Sequence, residues 1–222
     1  MNETDLKELW KTSNEMLEQY LSISKKNTED ITKLKVQSLL SSMKPVKIFT
    51  IVVGILWVGF GSMVVTNLFL QSYLKISLFF LYSATIQILL TAIALVIYIY
   101  QLVLLHQTDI SESVMETQNR LANLKTSTLW VTRCLFLQLP VWTTFFLSKQ
   151  MFISENTLLL IFNGLITLIF TVIAVWLFLN IKYENKDKNW FKLIFKGKEW
   201  TPILQAMELS KEIQDFKNEE SI

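Results

Sequence analysis

Cysteine and histidine, the side chains most used for nucleophilic and zinc chemistry, are nearly missing from this chain. Cys134 is the single cysteine and His106 the single histidine, so no intramolecular disulfide can form and no His/Cys set for zinc exists. The phosphate-cradling patterns G-x-x-x-x-G-K-[ST] and G-x-G-x-x-G are missing, as are the metalloprotease pattern H-E-x-x-H and the nucleophile elbow G-x-S-x-G. The residues therefore point to a non-enzymatic protein with no catalytic, cofactor-binding or metal-ligating set.

The chemistry that remains is hydrogen bonding inside apolar surroundings. Polar side chains within membrane-length apolar runs are the default pointers to a site, and here they are Gln87, Gln138, Asn163 and Arg133. Gln87 and Gln138 each lie about 14 Å in from the outer ends of their runs, at 1.5 Å per residue, so they are expected to hydrogen-bond to each other near the midplane. Interhelical bonding is expected for Asn163 too, and a transport pathway is not, because no acidic residue joins the set. Arg133 is expected to snorkel toward lipid phosphate, and Pro140 to kink its helix. Gly54 and Gly61, seven apart, allow close helix approach on one face.

The elements that must position these groups follow from composition. Hydrophobic residues make up 51% of the chain and charged residues 18%, with mean hydropathy +0.37. The excess is concentrated in long charge-free stretches, each able to reach or approach the roughly 20 residues that cross about 30 Å of hydrocarbon as a helix. Four spans are expected, at about 48–70, 78–102, 127–147 and 157–182. Outer-membrane barrels are excluded, since they need short strands of alternating polarity. A cleavable signal peptide is not expected, because the first apolar run starts only at Ile48 and is too long. A net charge of +2 gives no argument for direct nucleic-acid binding.

Charge position is more informative than net charge. Lys33, Lys35, Lys44 and Lys47 precede the first span, Arg120, Lys125 and Arg133 flank the middle connection, and Lys182, Lys186, Lys188, Lys192, Lys196 and Lys198 follow the fourth. The two short connections carry only Lys75 and Lys149. Under the positive-inside rule both termini and the loop between the second and third spans are expected in the cytoplasm. The fold class is thus all-α and polytopic: a helical segment over 1–47, a four-helix membrane domain over 48–182, and interfacial and terminal helices over 183–222.

Outside the spans, Leu6, Trp10, Leu17 and Tyr20 recur at helical spacing, followed by a break at Lys25 to Thr28 and a second helix that stops at Pro45. A cytoplasmic helix over about 109–125, capped by Asp109 with Glu112, is expected to continue the second span. Trp190, Phe191, Lys192 and Lys196 suit a segment lying in the interface, aromatics under the headgroups and lysines on anionic lipid. Thr201 and Pro202 open a last helix whose stripe is Ile203, Ala206, Ile213 and Phe216.

The opening Asp5-Leu6-Lys7-Glu8-Leu9-Trp10-Lys11, a leucine-spaced helix, a basic stretch and the first span together resemble uncharacterised bacterial four-span proteins with an L-K-x-x-W signature. Such proteins look like companions of sigma-factor-type regulators, and the resemblance implies a membrane-held regulatory role in a bacterial inner membrane. A zinc-binding anti-sigma motif is missing here. Two classes of function follow. In the first, the spans anchor while the terminal helices hold a cytosolic protein partner. In the second, the chain is a pore or transporter subunit, which requires a homo-oligomer because its polar lining is sparse.

Overall fold

The computed structural model describes residues 3–72, 76–107, 114–148, 151, 157–197 and 200–219. Side chains are described for all of these except 3–6, 9, 25, 29, 72, 114 and 212–219. The described residues fold into helices α1 (Glu3–Ser41), α2 (Lys44–Ser72), α3 (Leu78–His106), α4 (Val114–Phe136), α5 (Leu139–Thr144), α6 (Thr157–Asn180), α7 (Asn189–Phe195) and α8 (Thr201–Glu219), with a 3-10 turn at Tyr183–Asn185. Among the described residues three segments are long and apolar enough to cross a membrane: Trp10–Gln71, whose apolar part is α2, then α3 and α6. Their outward faces carry Phe49, Leu56, Trp57, Phe60, Val96 and Phe162 exposed, as hydrocarbon solvent allows and water does not.

The expected break at Lys25 to Thr28 does not occur. The sequence there has neither Gly nor Pro, and the hydroxyls of Thr28 and Thr32 fold back onto the carbonyls of Ser24 and Thr28, so α1 runs on without interruption. The stop comes where Pro45 dictates it. α1 ends at Ser41, and α2 begins at Lys44 with Pro45 in its first turn, where a missing N–H costs nothing.

α2 and α3 pack antiparallel and close together. A Cβ on Gly54 would stand 2.8 Å from Leu95 Cδ1, and one on Gly61 3.2 Å from Ile88 Cδ1, so both glycines face α3 and permit its approach. Gly59, off this face, has open space.

The expected third span is two helices. Pro140 cannot donate to the carbonyl of Phe136, and its ring clashes there, so α4 ends at Phe136 and α5 restarts at Leu139. Between them the Gln138 N–H bonds to Leu135 O at 3.2 Å, a tightened last turn. The helix expected over 109–125 is also reassigned. It begins in the described structure at Val114 and runs on into the expected third span rather than out of the second; Asp109 and Glu112 lie outside the described residues.

At one end the helices gather around a core that includes Leu40 and Met43 below α1, Leu121 and Leu124 of α4, Ile181 after α6, Phe191 and Phe195 of α7, and Ile203 and Ala206 of α8. The ends of α1, α4, α6, α7 and α8 form a platform against the long helices.

Candidate functional site

The polar groups sort into a ladder along α3. Leu147 O accepts from Ser77 Oγ at 2.6 Å, Ser83 and Thr144 share a hydroxyl bond of 2.8 Å, Gln138 Nε2 donates to Thr91 Oγ1 at 3.0 Å, and Gln101 Nε2 donates to Ser127 Oγ at 3.2 Å. As positions on α3 rise from 77 to 101, those on the α4–α5 arm fall from 147 to 127. The arm therefore runs antiparallel to α3 along nearly its full length.

This ladder corrects the expected glutamine pair. Gln138 does not meet Gln87 but reaches Thr91, one turn further along the same helix, while Thr91 in turn donates to the Gln87 carbonyl at 2.8 Å. Gln87 itself is buried. The break before Pro140 makes Gln138 the residue preceding α5 and sets its height by α5 rather than by a straight span. Asn163 is half-buried on α6, its carbonyl accepting from Thr167 Oγ1 at 2.9 Å.

Arg133 is also placed differently from expectation. Its Nε donates to Ile181 O at 2.8 Å and its Nη2 converges on the same oxygen, with the guanidinium 5.2 Å from the Trp130 ring centroid. Ile181 follows the last residue of α6, and its carbonyl belongs to the set a helix C-terminus leaves unsatisfied. A cation there also suits the negative end of the helix dipole. Arg133 thus caps a neighbouring helix.

The least anticipated feature is Lys47. It is fully buried, its Nζ donating to Gln101 Oε1 and lying 4.3 Å from the Tyr98 ring centroid. Gln101 Nε2 also reaches Thr128 Oγ1 at 3.4 Å, and both hydroxyls on α4 are anchored to the Leu124 carbonyl. One cation and one amide thus tie α2, α3 and α4 together. Reading Lys47 only as a charge flanking a span missed this. The available signal was that Tyr98, Gln101 and Leu105 recur on one helical face with a polar residue in the middle.

The segment expected to lie among headgroups splits by face. Phe191 and Phe195 turn inward, stacked at 4.3 Å between centroids, and Trp200 packs on both at 5.8 and 4.7 Å. Trp190 is half-buried against Trp176 at 5.0 Å, and Lys192, Leu193 and Lys196 are exposed. For Phe191 the physical reason is chemical continuity: with Ile203 and Ala206 of α8 it completes an apolar cluster that excludes water better than an interface would.

The two terminal stripes have different fates. Ile203 and Ala206 are buried by the chain itself, while Ile213 and Phe216 lie in α8 with side chains outside the described residues. On α1, Trp10, Leu17 and Tyr20 are 69%, 60% and 73% exposed; Leu6 shares their helix, its side chain not described. The chain's own cover for α8 is the far end of α1, at Val36, Leu40 and Met43, and not the Trp10 to Tyr20 stripe.

A cleft of about 540 Å³ opens beside α8, between Gln118 and Leu121 of α4 and the Tyr183 turn. Lys186, Lys211 and Glu208 line it. The hydrogen bond that Lys186 donates to the Tyr183 hydroxyl, at 3.4 Å, holds its pKa above the ordinary lysine value. Ser210 also lines the cleft, its Oγ buried without a hydrogen-bond partner, so the lining is of mixed charge with one unsatisfied hydroxyl. Among the described residues no cluster of His, Cys, Asp and Glu is placed to hold a metal ion. No protein-family model matches the chain, and no curated protein or solved structure matches it.

Proposed function

We propose that this chain is a non-enzymatic, membrane-anchored interaction protein of regulatory role, docking a protein partner on the cytoplasmic side through the first half of α1. The observation that carries the reading is the exposure of Trp10, Leu17 and Tyr20 on one stripe of a helix whose other end is packed. Large aromatic anchors on such a face dominate binding energies when they are buried by a partner. The topology that supports it has four crossings of a bacterial inner membrane, with both termini in the cytoplasm. The ladder from Ser77 to Gln101 supports a fourth crossing by α4 and α5, since an arm matched to nearly all of α3 covers the same depth. The lysine asymmetry supports the orientation.

Trp10→Ala with Leu17→Asp is expected to leave membrane insertion unchanged and to abolish crosslinking of α1 to any protein. Labels at Ser13 and Ser113 are expected to be reachable only from the cytoplasm, and those near Lys75 and Lys149 only from outside. Access to Ser13 from outside would reject the orientation, and unchanged crosslinking in the double variant would reject the docking face.

A further inference from the structure

Because α1 is continuous through 25–28, its apolar positions can be read as a single register. Leu6, Trp10, Leu17, Tyr20, Ile31 and Leu34 fall on the a and d positions of one heptad frame, with Ser13, Ser24 and Asn27 filling the remaining a and d sites. Met16, Leu21 and Ile23 fall on e and g, beside that seam. Every b, c and f position from Glu8 to Lys33 is polar. A period of 3.5 sustained over four heptads is the signature of a helix whose partner is another helix winding at the same pitch.

Among the described residues the chain does not cover this seam itself. Val36 and Leu40, the buried positions of α1 in the platform core with α8, fall on f and c of the same frame, the face opposite a and d. Ile31 and Leu34, at the platform end of the seam, remain 53% and 50% exposed. A lone solvated helix gains little from propensity, since helices in proteins draw most of their stability from packing an apolar face. The seam therefore calls for a helical occupant.

From this we infer that the occupant is α1 of further copies of the same chain, aligned parallel. The inference rests on the docking reading above and names the partner. Parallel alignment follows from the connection of α1 to α2: copies in one membrane send their first helices out from the same side. In that alignment the g residue Asp30 faces the e residue Lys35 of the neighbour, an opposite-charge pair at the platform end. The seam is self-complementary in chemistry too, with Ser13, Ser24 and Asn27 each meeting their own kind instead of an apolar side chain, which fixes register. Apolar flanks at e and g make the face broader than a two-stranded seam, as in bundles of more than two helices.

The test uses the full chain in membranes with Cys134→Ser as background. Ser13→Cys and Ser24→Cys sit at d and a, and Thr12→Cys and Ser22→Cys at c and f. A disulfide needs Cα atoms within about 7 Å, so oxidation should crosslink the first pair of variants at least about tenfold more than the second, giving products at multiples of the chain's own mass. Asp30→Lys should reduce that yield about twofold to threefold, and Asp30→Lys with Lys35→Asp should restore it. Equal crosslinking at all four positions, or none at Ser13 and Ser24, overturns self-association. A photoreactive benzoylphenylalanine in place of Trp10 or Tyr20, with Cys134 intact, separates the two levels of the argument. Products made only of this chain support the inference; products containing a different protein overturn it and leave the docking face standing; no product from either position overturns both.

Discussion

The two halves of α1 share one helix and one sequence style but differ in what surrounds them. Beyond Leu34, Val36, Leu40 and Met43 disappear into the platform with Phe191, Ile203 and Ala206, whereas before it Trp10, Leu17 and Tyr20 stand in the open. Apolar content does not separate the halves, since both carry large side chains at helical spacing. The availability of a second surface does. α8 reaches the platform end of α1 and covers its c and f face, and the other half projects past it. An apolar stripe thus reports the need for a partner, and only the fold tells whether the chain already contains it.

The widest test of this contrast is stability. Met43→Asp, or Phe191→Ala within the same core, should destabilise the protein by about 3–5 kcal/mol, as cavities and unpaired buried charges do. Trp10→Ala, on the open half, should stay within about 0.5 kcal/mol for the unassociated chain. Thermal unfolding of the purified protein in detergent, at concentrations low enough to prevent association, measures both. Comparable losses at Met43 and Trp10 would mean that the open half is packed after all.

A middle tier concerns the polar ties that hold the long helices to the platform. Gln101→Leu removes the Lys47 acceptor and both bonds to α4, and should cost about 1–3 kcal/mol, the penalty for stripping a buried polar contact. Arg133→Ala should cost about 1–2 kcal/mol by leaving the Ile181 carbonyl uncapped. Arg133→Lys should recover only part of that, since one ammonium cannot present two fixed N–H groups to one oxygen. Equal loss for Ala and Lys at this position would argue against the cap, as would no loss for either.

Legibility in the sequence followed the range of the interactions. The long apolar helices, the Pro45 boundary and the glycine face at Gly54 and Gly61 are local or nearly so, and composition and spacing locate them. What failed were features set by height and facing between distant segments. Arg133 was placed in the correct apolar run, but its target, Ile181, lies 48 residues away and depends on where α6 happens to end. Phe191 has the composition of an interfacial residue, and only the arrival of α8 buries it. The missing break at 25–28 is a different kind of failure. The polar run there suggests a break, but each of its residues tolerates a helix, and without Gly or Pro nothing local stops one.

The smallest expected effect concerns Gln138, where the sequence supplied the right donor and the wrong acceptor. Two membrane-length helices can each carry an amide at the same depth without facing one another, and the turn before Pro140 moves Gln138 to the level of Thr91. A double-mutant cycle of Gln138→Leu and Thr91→Val should therefore show coupling of about 0.6 kcal/mol, the average for such bonds in a membrane. The cycle of Gln138→Leu with Gln87→Leu should be additive or nearly so, because the Gln87 group facing Thr91 is its backbone carbonyl, which leucine retains. Coupling in the second cycle and none in the first would restore the glutamine pair and require that the helix run straight through Pro140. That outcome would also shift the hydroxyl pair of Ser83 and Thr144, so Thr144→Val should then lose its effect in the same assay.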